Sequence, residues 1–61
     1  MPSGGYGIDQ EDLRMVRKAL DDKVVKRYGM QVEWCATYAT ARAAGATPAE
    51  ASTAAYIEWD L

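Results

Sequence analysis

Ten of the twenty residues from Ala36 to Ala55 are alanine. Such a run reads as helix rather than strand, because alanine is the strongest helix former and is depleted in sheets. Its side chain is too small to fill a core alone. Alanine-rich helices therefore approach closely, near the lower end of the usual 8–10 Å between axes, and a few large side chains must fill the space that remains.

The punctuation along the chain divides it into three helices. Asp9 is placed as the N-cap of the first, with Asp12 at the third helical position and Ile8 and Leu13 spaced for a hydrophobic staple. Leu13, Val16, Leu20, Val24 and Tyr28 recur at helical spacing and define one apolar stripe. Gly29 follows Lys26 and Arg27, where it can close the helix in a left-handed conformation. These signals predict a helix over 10–28. The second is predicted over 31–44, stopped by Gly45. The third opens on Thr47-Pro48-Ala49-Glu50, where a capping threonine, a proline at the first helical position and a glutamate three residues on form a capping box; it is predicted from 48 to the C-terminus.

Those elements make an all-α fold, a small three-helix bundle with a helix-turn-helix-like corner between helices two and three. Residues 1–8, which hold three of the five glycines, read as a flexible N-terminal tail, and 9–61 as the three-helix domain. The second helix has two apolar flanks. Val32, Cys35, Ala36, Ala39 and Ala43 form one, Trp34, Tyr38 and Ala41 the other, and a helix apolar on two sides is expected to be covered on two sides. In the third helix Ala51, Ala55 and Trp59 follow one line and Ala54, Ile57 and Leu61 another; periodicity alone leaves the inward line open.

A chain of 61 residues buries a low fraction of its surface and needs reinforcement. Cys35 is its only cysteine and there is no histidine, so neither an internal disulfide nor a recognisable metal cage is available. Oligomerisation or a binding partner is the remaining route. No apolar run reaches the roughly 20 residues of a membrane span. The N-terminus lacks the pattern of a signal peptide, and an unpaired cysteine suits a reducing compartment, so the expected location is cytoplasmic.

Six of the seven basic residues fall between Arg14 and Arg27. From Met30 onward Arg42 alone opposes Glu33, Glu50, Glu58 and Asp60. Ala41, Gly45, Ala46, Ala51 and Ala54 sit where a helix-turn-helix needs small, turn and apolar residues. Yet the segment in the recognition-helix position, Pro48 to Leu61, has no base, so the phosphate contacts that supply most non-specific DNA affinity are missing and nucleic acid is disfavoured. Along the first helix, Glu11 with Arg14 and Asp22 with Lys26 are spaced for intrahelical ion pairs.

Nothing in the sequence assembles a catalytic set. Cys35 has no histidine to act as its base, adjacent carboxylates point to different helix faces, and no glycine-rich phosphate loop follows a strand. No cofactor, metal or small-molecule substrate is implied. Trp34, Tyr38, Tyr56 and Trp59 are large aromatics of the kind that anchor interfaces as well as cores. Together these features predict a non-catalytic protein–protein interaction module that associates with itself or another protein through an aromatic and alanine-rich surface formed by those four residues. A helix-turn-helix DNA regulator and an acidic inhibitor of a basic partner are the alternatives.

Overall fold

A computed structural model describes residues 9–61. The described residues form four helices: α1 (Gln10–Leu20), α2 (Lys23–Tyr28), α3 (Gln31–Ala43) and α4 (Pro48–Glu58). They pack as a small all-α bundle in which α3 and α4 make the most extensive pairing, and α1 lies against both. The tail expected over residues 1–8, and the Ile8 half of the staple, lie outside the described residues. No helix among the described residues is long and apolar enough to cross a membrane.

The first predicted helix is two helices. Asp21 ends α1, and Asp22 leaves helical geometry at φ −69°, ψ 130°, where its carboxylate accepts from the backbone N–H of Val24 at 2.8 Å and of Val25 at 3.3 Å. An aspartate that satisfies two free N–H groups starts a helix more readily than it continues one. The carboxylate expected to pair with Lys26 is therefore a cap. The break also resets the helical phase. Val25, off the predicted stripe, becomes fully buried, while Leu20, Val24 and Tyr28 of that stripe are exposed.

The remaining boundaries follow their local signals. Asp9 caps α1 by accepting from Glu11 N–H at 2.8 Å, and Glu11 pairs with Arg14 on the outer surface. Gly29 (φ 65°) and Gly45 (φ 105°) end α2 and α3. A Cβ would meet nothing within 4 Å at either position, so backbone conformation rather than space requires glycine there. At both ends the next residue bonds back five positions, Met30 to Val25 and Ala46 to Ala41, the pattern of a Schellman close. The capping box of α4 is complete: Thr47 Oγ1 accepts from Glu50 N–H at 3.2 Å, and Glu50 Oε1 accepts from Thr47 N–H at 2.9 Å.

The core consists of Ala19, Val25, Trp34, Tyr38, Ala51 and Ala55, with Met15, Val16, Met30, Cys35, Ala41, Ala46, Tyr56 and Leu61 packed around it. Ala51 and Ala55 settle the question left open by periodicity: the line through Ala51, Ala55 and Trp59 faces inward, whereas Ala54 and Ile57 face out. Small residues on α4 leave room for the indole of Trp34 between the helices. The two-sided cover expected for α3 is not formed. Its Trp34–Tyr38–Ala41 flank packs inward, but Val32, Ala36, Ala39 and Ala43 on the other flank are exposed, because three partner helices that all converge on Trp34 leave none for the far side.

Candidate interaction surface

The four aromatics expected to anchor a partner are mostly interior. Trp34 is 0% and Tyr38 4% exposed, their rings stacked with centroids 5.2 Å apart and planes 14° from parallel. Tyr56 meets Trp34 edge-on at 5.5 Å and is half-buried. Trp59 is also half-buried; its indole Nε1 donates to Thr37 Oγ1 at 2.8 Å and to the Glu33 carbonyl at 3.1 Å. The structure thus brings Trp34, Tyr38 and Tyr56 together as packing and sets Trp59 at the end of the α3–α4 seam. Trp34 and Tyr38 have no free face for a partner, since each fills the volume that neighbouring alanines leave empty.

Tyr38 also belongs to a part-buried polar cluster with Asp12 and Arg42. Its hydroxyl donates to the Asp12 carboxylate on α1, which also receives Arg42 Nε at 2.8 Å. Hydrogen bonding from Arg42, then from Tyr38, holds the Asp12 carboxyl below its ordinary range against the opposing effect of burial. Desolvation, with the Asp12 hydrogen bond next, pushes the Tyr38 phenol up to about 12. The cluster is internally satisfied and its charges are mutually neutralised. Burial likewise raises the Cys35 thiol, which keeps it protonated and weakly nucleophilic.

Trp59 lines a shallow depression with Tyr28, Met30 and Asp60, and the larger exposed apolar surfaces lie elsewhere. Val32 is 76% exposed at the head of the open α3 flank, and Leu20, Gln31, Val32, Cys35 and Ala36 line a shallow apolar depression there. Val32, Ala36, Ala39 and Ala43 follow one another at spacings of four, three and four, with no charge among them. On the outer side of α4, Ala49, Glu50, Thr53, Ala54 and Ile57 line a second depression in which Ile57 is 73% exposed. On α2, Lys23, Lys26 and Arg27 are exposed together with Val24 and Tyr28. Sequence reasoning placed Val32 on a covered face and left Ile57 undecided. The signal that could have separated them is volume: once Trp34 and Tyr38 fill the interior, the small-residue flank has no partner of its own.

The α3–α4 corner packs Ala41, Ala46 and Ala51 inward but leaves Ala54 outside. The outer side of α4, where a recognition helix would present basic side chains to DNA, carries Glu50 and Ile57, and Glu58 lies beside Thr37 and Thr40 of α3. Among the described residues no group of three or more metal-type ligands converges. No known family model matches the chain, and no curated protein or solved structure matches it significantly.

Proposed function

We propose that the chain is a non-catalytic interaction module that pairs with a second copy of itself through the open flank of α3. The observation that carries this reading is the exposure of Val32 at the head of an uncharged line, Val32, Ala36, Ala39 and Ala43, running the length of the helix. Alternating spacings of three and four place such residues along one seam of a helix, as in a coiled coil, and small side chains let a second helix come close. Three of the six buried residues among those described are alanines, so the internal core is small, and burying this flank against another chain adds what the monomer lacks.

The polar groups support binding over catalysis, because Asp12, Tyr38 and Arg42 are engaged with one another and the Cys35 thiol is shifted away from its reactive form. The lack of any base from Pro48 to Leu61, with Glu50 on the outer side of α4, counts against DNA as the partner, since phosphates would find no cation there.

Sedimentation velocity tests the reading. The wild-type chain is expected to sediment as a dimer at high micromolar concentration. Ala39→Lys, at a position exposed in the monomer, is expected to give a monomer with unchanged helical circular dichroism. A wild-type monomer at that concentration, or an Ala39→Lys dimer, overturns the proposal.

A further inference from the structure

Tyr28 at the end of α2, Met30 at the head of α3, and Trp59 and Asp60 at the close of α4 line one depression of about 280 Å³. Segments distant in the chain converge there, so two aromatic rings, a thioether and a carboxylate share one opening. Trp59 offers it ring surface rather than a donor, because its Nε1 is engaged by Thr37 Oγ1 and the Glu33 carbonyl. Among the described residues both close ring pairs centre on Trp34, so Tyr28 and Trp59 line the opening without packing on each other. The Asp60 carboxylate joins neither of the salt bridges found among those residues. Its backbone is left-handed at φ 56°, whereas α2 and α3 close on glycine. Strain of this kind collects at binding sites, and here it keeps a charged side chain where glycine is the easier residue.

Aromatic faces attract cations through the ring quadrupole, and rings gathered around a quaternary ammonium are the recurring use of that attraction. A primary ammonium has three donors to satisfy, and this opening supplies one carboxylate and a phenol oxygen. A trimethylammonium group has no donor, and its methyls suit aromatic faces and a polarisable thioether. An anion would meet Asp60, and a plain hydrocarbon would cover the carboxylate without pairing it. The volume falls just below the roughly 300–1,000 Å³ of sites that enclose a drug-sized ligand, so the opening admits a terminal group rather than a whole molecule. We infer that this end of the bundle binds a methylated ammonium group against Tyr28 and Trp59, with Asp60 as its counter-charge. The site uses none of the open α3 flank and is independent of pairing through it.

The experiment is a titration of the full chain followed by its indole N–H signals in nitrogen-edited NMR. Choline carries the group; its carbon isostere, with tert-butyl in place of trimethylammonium, has the shape without the charge. Choline is expected to move the Trp59 signal saturably, beyond the effect of equal sodium chloride, and to leave the buried Trp34 signal in place. It is expected to bind about threefold or more tightly than the isostere, the scale of a cation–π contact at an exposed site. Tyr28→Leu keeps apolar area but removes a ring, and Asp60→Asn removes the charge. Each is expected to weaken choline about threefold, with isostere binding and circular dichroism unchanged. No saturable movement of the Trp59 signal, equal affinity for the isostere, or a folded variant that binds choline as the wild type does overturns the inference. A short peptide bearing one trimethyllysine presents the same group on a protein. Displacement of choline by a lower concentration of peptide assigns the group to a protein, and by a higher one to a small molecule; peptide binding that leaves choline in place overturns the site.

Discussion

Arg42 on α3 grips Asp12 on α1 with two nitrogens, Nε to Oδ1 at 2.8 Å and Nη2 to Oδ2 at 3.3 Å. Its third nitrogen, Nη1, donates to the Ala46 carbonyl in the α3–α4 corner at 2.9 Å. One planar side chain therefore fixes the first helix, the third and the corner that aims the fourth. A lysine carries a single point charge and cannot present this fork.

Arg42→Lys should accordingly lower the melting temperature almost as far as Arg42→Ala. Thermal unfolding followed by circular dichroism checks this, and a lysine variant that melts with the wild type would show that charge alone suffices.

The same cluster sets a pH dependence at both extremes. The folded Asp12 carboxyl lies below its ordinary value of 3.8, so its contribution is fully present above that value and is lost as pH falls through the lower folded value. The Tyr38 phenol is raised from 10.0 to about 12. Its contribution is complete below pH 10 and disappears as pH rises towards 12. Burial also raises the Tyr56 phenol, so two tyrosines should titrate late in the phenolate absorbance of the folded chain, and Tyr38→Phe should remove the step near 12; a Tyr38→Phe curve that keeps it would assign that step to another tyrosine.

Ala55 is fully buried in the core it shares with Ala51 and Trp34. Ala55→Leu adds volume to a packed site and should cost roughly 1–3 kcal/mol, read as a lower midpoint in urea with an unchanged slope. An unshifted midpoint would mean that α4 can move away from α3 freely.

The C-terminal end of α4 closes as α2 and α3 do, with Leu61 bonded back to the Tyr56 carbonyl at 2.9 Å, but here Asp60 rather than glycine takes the positive φ, 56°. Left-handed backbone costs a non-glycine residue roughly 1–2 kcal/mol, somewhat less for aspartate. Asp60→Gly should relieve part of this and stabilise the chain by about 0.5–1 kcal/mol. Chemical denaturation measures it, and destabilisation would show that the aspartate side chain contributes more than its backbone strain costs.

Legibility in the sequence varied with the range of the interaction. Asp9, Gly29, Gly45 and the Thr47–Glu50 box act over a few residues, and the structure has each where local chemistry puts it. Asp22 is spaced as a helix surface partner of Lys26, and the structure uses it as a cap for Val24 and Val25. The Arg42–Asp12 fork spans thirty residues, and nothing near Arg42 announces it beyond its being the one base after Met30.

The sequence by itself determined the helical class, the corner and the helix ends at Asp9, Gly29, Gly45 and Thr47, though not the break at Asp21 and Asp22, because caps, glycines and alanine propensity operate within a turn or two of the backbone. Only tertiary structure decided which flank of each helix is interior. The indole of Trp34 can be enclosed in one place; once α1, α2 and α4 gather around it, Tyr38 joins the core, and Val32 and Ile57 are left facing outward. That selection is made by volume and by competition among faces of similar hydrophobicity, quantities that belong to the assembled bundle and to no single segment.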